Sequence, residues 1–185
     1  YYQIKQAELN GELVKADELR AKRQKELTDN TIAQYQEKVD DAEAKITKSQ
    51  AYAELDAGNY KEQNKHLEYQ KKQLKTQYDY LIKIAELNKD SVEVAKLKAE
   101  YQKELNDLTM QEFDNISNTY SKKIEQLNNS ANYLNTQIAG IETRGYIVDE
   151  SAYKSLANNE QKQLELLNKE LDTLREKRDK GLADG

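Results

Sequence analysis

The chain has no cysteine, no proline and no tryptophan in its 185 residues, and only one histidine, one phenylalanine and six glycines. Each shortage removes a class of explanation. Without cysteine there is no disulfide framework, no thiolate nucleophile and no thiolate metal site. Without proline nothing forces a helix to stop, since proline inside a helix costs about 3 kcal/mol. A single histidine leaves zinc without its usual ligand sets. No run approaches the roughly 18 to 20 continuous apolar residues that span a bilayer, and the opening residues do not read as a signal peptide, so this stretch is expected to be soluble. A long block of one charge is missing too. The 29 Lys and Arg against 34 Asp and Glu give a net charge of −5, and the signs are interleaved, which argues against binding nucleic acid by charge alone.

What remains is polar and periodic. Charged residues make up 34% and hydrophobic residues 37%, and the mean hydropathy of −1.06 is too low for a large compact core. Disorder competes as a reading of that polarity, but apolar residues recur at helical spacing along most of the length. The 13 tyrosines fit thin seams between helices, where a ring packs while its hydroxyl stays near water. The expected fold is all-α, built of long antiparallel helical hairpins in a coiled-coil rod.

From Tyr2 the apolar positions Leu9, Leu13, Ala16 and Leu19 lead through Leu27 to Tyr35, Val39, Ala42, Ile46 and Ala53. This predicts one long helix to about residue 57. Gly11 lies inside it and is not expected to end it, at a cost of about 1 kcal/mol relative to alanine. Asp56, Ala57, Gly58 and Asn59 carry turn chemistry, and Tyr60 opens a second helix through Leu67, Leu74, Tyr78, Leu81 and Ala85. Asp90 followed by Glu93 resembles a capping box and predicts a helix start. A reversal is expected at residues 88–91, the alternative being a helix that runs straight on toward Leu105. From Val94 the apolar track passes Leu105, Leu108, Ile116 and Tyr120 at close to the 3.6-residue period of a straight helix, as in a bundle. It continues as a seam of Ile124, Leu127, Ala131, Leu134, Ile138 and Ile141. Gly140 and Gly145 are expected to close this helix. Ile147 and Val148 favour a short extended link, and Asp149 or Ser151 can cap a last helix with an apolar row of Tyr153, Ala157, Leu164, Leu167, Leu171 and Leu174. That organisation gives about four helices in two hairpin units, residues 1–90 and 91–185. At 1.5 Å per residue a helix of about 50 residues is about 75 Å long and one of about 30 is about 45 Å, so each unit advances along an axis.

The two halves repeat. RQKELTDNT at residues 23–31 echoes YQKELNDLT at residues 101–109, an offset of 78. Asp29, Asn30, Tyr35 and Lys38 match Asp114, Asn115, Tyr120 and Lys123 at an offset of 85, one heptad more. Beyond the turns Tyr60, Leu74 and Leu81 match Tyr153, Leu167 and Leu174 at an offset of 93. Insertion at a turn or by whole heptads keeps an apolar face in register.

Candidate chemistry is sparse. His66 has Glu62 four residues before it, but two ligands make a poor zinc site, and a solvated helix face is expected. Residues 151–154 spell S-x-x-K, a nucleophile motif in penicillin-binding enzymes, without the partner motifs S-D-N or K-T-G. Ser151 is therefore expected to cap a helix. Pairs such as Glu100 with Glu104, and Lys122 with Gln126, read as exposed helix-face residues. The tyrosines could stack on bases, but single-strand binders also need a basic groove. No catalytic residue, cofactor-binding residue or metal ligand is expected.

The run FDNISNTYSKKIEQL (residues 113–127), then GIETRGYIVDESAYKSL (residues 140–156), then a Leu-rich helix ending EKRDKGLADG, resembles the helical repeats of tail tape measure proteins of long-tailed bacteriophages and their prophages. The resemblance covers roughly the last 80 residues and is weaker before them. Such stretches often go on as a glycine, an aliphatic, a second glycine, then serine and an aromatic. Gly181, Leu182 and Gly185 begin that pattern, which implies a fragment of a longer protein. The resemblance implies a rod in the lumen of the virion's tail tube that fixes tail length during assembly and leaves ahead of the DNA. Host cytoplasm would be its location before that. Implied partners are other copies of the chain, as a homo-oligomer of the full-length protein, and tail tube proteins, with no cofactor, no direct nucleic-acid contact and no membrane. Proteins of this kind can carry a peptidoglycan-cleaving domain elsewhere in the chain, but nothing of it is present here. The rival reading is a spectrin-like interaction rod of a cellular scaffold or adaptor.

Overall fold

The computed structural model describes residues 1–183, with side chains through Lys177 and at Asp179. Of the closing pattern, the side chain of Leu182 and the whole of Gly185 lie outside the described residues. Five helices are described, α1 (Tyr2–Leu9), α2 (Leu13–Leu55), α3 (Tyr60–Leu87), α4 (Ser91–Thr143) and α5 (Glu150–Ala183), and no strand is found among the described residues. The chain is all-α, and its long helices pair as antiparallel hairpins.

One backbone device closes three of these helices. At Gly11, φ is +72°; the Gly11 N–H donates to Glu8 O at 3.1 Å and the Glu12 N–H to Ala7 O at 2.9 Å. Gly145 repeats this at φ +74°, donating to Glu142 O at 2.9 Å while the Tyr146 N–H donates to Ile141 O at 3.2 Å. Such paired bonds satisfy the last carbonyls of a helix and reverse the chain. Gly11 therefore ends a helix instead of lying inside one, and the expected four helices become five. Gly140, expected to close α4, stays helical, and α4 runs on to Thr143. The third instance uses no glycine. Lys89 sits at φ +58°, with its N–H on Glu86 O at 3.0 Å and the Asp90 N–H on Ala85 O at 2.9 Å. Asp90 then accepts the Glu93 N–H at 2.9 Å, so one residue ends α3 and caps α4. The expected reversal at residues 88–91 is there.

Two compact units form, and they do not divide at residue 90. The first comprises Tyr1–Ser49 and Tyr69–Leu105; the second comprises Gln50–Glu68 and the chain from Asn106 onward. Residues that share a seam stay together even though their helices continue.

In the first unit α3 lies between two neighbours. Gln70 donates to Ser49 at 3.4 Å and the Tyr80 ring packs 5.3 Å from Tyr35, both on α2. Tyr78 donates its hydroxyl to Glu104 at 2.8 Å and its ring lies 5.5 Å from Tyr101, both on α4. Buried here are Ala16, Val39, Ala42, Leu74, Tyr78, Ala85 and Leu97. Small residues let the helices approach closely, and an ion pair from Arg20 to Glu8 ties α1 to α2.

In the second unit α4 and α5 run antiparallel. Tyr153 reaches Glu142 at 2.7 Å, Asn159 donates to Leu127 O at 3.1 Å, Glu170 accepts from Ser117 and Ser121 at 3.0 Å each, and Lys177 pairs with Asp114. The expected α4 seam from Ile124 to Ile141 is buried or half-buried. The expected α5 row is not: Tyr153, Ala157, Leu164, Leu167, Leu171 and Leu174 are all exposed. Toward α4 the last helix instead presents Leu156, Asn159, Gln163, Leu166, Glu170 and Thr173. One neighbouring helix covers one row of a helix, and the polar partners of Asn159, Glu170 and Lys177 select this one.

Lys89 yields a direct test. A left-handed conformation costs an L-residue roughly 1 to 2 kcal/mol, part of which glycine gives back through its freer unfolded state. Lys89→Gly is expected to raise the unfolding free energy by about 1 kcal/mol in urea titration; an unchanged or lower midpoint would contradict this reading of the turn.

Candidate functional site

The residues singled out for chemistry are dispersed into structural roles. His66 is half-buried instead of lying on a solvated face. Its Nε2 lies 3.0 Å from the Asp56 carboxylate and its ring stacks 6.2 Å from Tyr52, joining the end of α2 to α3. Glu62 pairs with Lys65 at 2.7 Å. Among the described residues no group of three His, Cys, Asp or Glu side chains could hold a metal ion. Ser151 and Lys154 also part company. The Ser151 hydroxyl donates to Asp149 at 2.5 Å, and Lys154 pairs with Glu150 at 2.9 Å. Of the two offered capping residues, Asp149 is the cap, because its carboxylate collects the amides that open α5.

The glutamates and lysines expected on solvated faces are partly recruited. Glu104 accepts the Tyr78 hydroxyl, while Glu100 lies 3.8 Å from Lys96. Lys122 is exposed, as expected, and also docks on the α2–α3 turn. It donates to Gly58 O at 3.0 Å and its ammonium lies 4.9 Å from the Tyr60 ring centroid. A contact 64 residues apart in sequence leaves no local signal.

Several tyrosines behave as seam residues. Tyr35 and Tyr80 pack together, with the Lys83 ammonium 5.7 Å and 4.8 Å from their ring centroids. Tyr78 is 7% exposed, and burial first, then the Glu104 carboxylate, hold its phenol protonated well above the usual tyrosine range. Others, including Tyr1, Tyr2, Tyr133 and Tyr146, stand exposed.

Two surface features of the second unit bear on contact with other molecules. A shallow groove of about 360 Å³ runs between α4 and α5, lined by Lys123, Gln126, Leu127, Lys162, Glu165, Leu166 and Lys169. The other feature is the outward apolar row of α5, which is the strongest candidate for contact with another molecule, since a repeated row of leucines at helical spacing is built to meet a second helix. Its four leucines, Leu164, Leu167, Leu171 and Leu174, are between 45% and 61% exposed. No helix among the described residues is long and apolar enough to cross a membrane. Comparison with protein-family models, with curated proteins and with solved structures found no match to this chain.

The α5 cap predicts a pH dependence. The Ser151 hydroxyl, then the Ser151 N–H and, more weakly, the Glu150 N–H hold the Asp149 carboxyl below its usual range, with burial opposing them. A depressed folded-state pKa stabilises fully above the unfolded value of about 3.9 and ceases to do so as pH falls through the folded value. The stability difference between the native chain and Asp149→Asn is therefore expected to be constant above about pH 5 and to shrink below about pH 4. A difference unchanged to pH 2.5 in urea titrations would refute the charged cap.

Proposed function

We propose that this chain is a structural helical segment of a tail tape measure protein, setting tail length during assembly from inside the tail tube and leaving ahead of the DNA. The observation that carries the reading is where the resembling residues fall. Residues 113–127 lie within α4, and residues 140–156 span the end of α4, the left-handed turn and the start of α5, so the resemblance covers one coherent helical hairpin. A ruler needs a constant rise per residue, which an unbroken helix such as the 53-residue α4 supplies. It also has to slide free of its channel, and interleaved charge with a net −5 gives little reason to hold on to DNA. In this reading the segment has no catalytic site and takes no cofactor, and its partners are other copies of itself and the tube.

A folded hairpin advances less per residue than a single helix, so this segment is either a local thickening of the ruler or extends within the tube. A second reading, an interaction rod of a cellular scaffold, is favoured by one observation, the exposed leucine row of α5. Neighbouring genes for tube and baseplate proteins separate the two. Deletion in the parent gene tests the ruler itself. Removing about 70 residues of single helix is expected to shorten the tail by about 105 Å, and removing a hairpin unit by much less. Tails of unchanged length after either deletion would reject the assignment.

A further inference from the structure

The internal repeat places α3 and α5 in correspondence, 93 residues apart, and the contacts of each helix sort into the same rows. On α3 one row faces α2: Gln63 donates to Ala53 O, His66 meets Asp56, Gln70 meets Ser49 and Tyr80 packs on Tyr35. The equivalents of residues 66, 77 and 84 on α5 are Asn159, Glu170 and Lys177, the residues that bind α4. The first row is thus used the same way in both helices. A second row of α3 faces α4: Tyr60 lies under Lys122, Asn64 bonds Asn115 and the Glu112 carbonyl, and Tyr78 bonds Glu104. Its equivalents on α5 are Tyr153, Ala157 and Leu171, with Leu167 and Leu174 in the places of Leu74 and Leu81. Leu74 is 3% exposed and Tyr78 7%, whereas Leu167 is 50% and Leu171 45% exposed. The second row is present, and more apolar, and among the described residues no helix covers it as α4 covers that of α3.

We infer that this row of α5 is a docking face for one further antiparallel helix of the α4 type, carrying the apolar pattern of residues 91–112. The partner must be an additional helix. Leu97 and Tyr101, the residues that would do the covering in a second copy's α4, are already packed in that copy's first unit, Leu97 buried and Tyr101 against Tyr78. Leu171 lacks the hydroxyl of Tyr78, so the partner needs no carboxylate where Glu104 stands and is apolar there instead. The face is distinct from the turn residues behind the proposed tail role and does not depend on it.

The test uses the intact chain carrying, after Gly185 and a flexible Gly/Ser linker of about ten residues, a second copy of residues 88–112 in which Glu104→Leu makes the position opposite Leu171 apolar; such a tether gives an effective concentration on the order of millimolar. Hydrogen exchange is expected to show the appended amides slowed at least tenfold relative to the free peptide, with the α5 amides slowed as well. Changing Leu167→Glu together with Leu171→Glu, both exposed and so compatible with folding, is expected to abolish that protection. An appended segment exchanging as fast as the free peptide, or protected equally in the double variant, would overturn the inference. So would an unextended chain that sediments as a dimer and becomes monomeric in the double variant, since the occupant would then be a second α5.

Discussion

A helix with two rows of seam residues needs two neighbours, and this requirement organises the chain. α3 has both: its Gln70 and Tyr80 meet α2 while Tyr78 meets α4. α5 has the same two rows, and among the described residues its bonds through Asn159 and Glu170 go to α4. Burial follows the neighbours and not the hydrophobicity of the row, which is why a leucine-rich face is exposed while Asn159 is 6% exposed. With its Oδ1 unpartnered among the described residues, Asn159 carries a desolvation cost of about 1 to 3 kcal/mol. Such a seam has to be selected by its specific hydrogen bonds, here to Leu127 O and from Ser117 and Ser121 to Glu170.

The seams are thin. Among the described residues no large side chain is fully buried, and four of the buried positions are alanines. Stability is spread over many half-buried contacts, in which tyrosine hydroxyls reaching Glu104 and Glu142 and cations stacked on rings replace part of a dry core. Many ion pairs lie four residues apart on one exposed helix face, where solvent screening leaves each with little effect. The sharp turns matter more, because they bring successive helices side by side with few connecting residues.

The fold class was legible because apolar spacing and the absence of proline both demand helices. Three reversals were legible for local reasons: Gly58 stands in a turn-forming run, Asp90 with Glu93 forms a cap, and Gly145 is followed by Ile147, Val148 and the capping Asp149. The break at Gly11 was readable as well, since Asn10–Gly11 is a turn signal, but a helix can absorb one glycine and continuity outweighed it. Lys89 offered no signal, because left-handed lysine is specified by its surroundings. The inverted face of α5 was hidden for a different reason. A sequence shows that a helix has an apolar row, but not whether a neighbour is present to cover it. Lys122 on Gly58 and Asn64 on Asn115 were equally hidden, being contacts made across long separations. The absence of catalytic residues was an expectation from composition; what the structure adds is where His66, Ser151 and Lys154 are engaged.

The dependence of each helix on its number of neighbours is open to direct measurement by native-state hydrogen exchange on the intact chain. Backbone amides opened by local fluctuation report the stability of their own helix, a factor of ten for about every 1.4 kcal/mol. Amides in the part of α3 at residues 69–87 are expected to exchange at least about tenfold more slowly than those of α5 at residues 156–174 after correction for intrinsic rates. Equal protection of the two helices, or stronger protection of α5, would show that α5 is already fully partnered and would contradict the claim that one of its rows is uncovered.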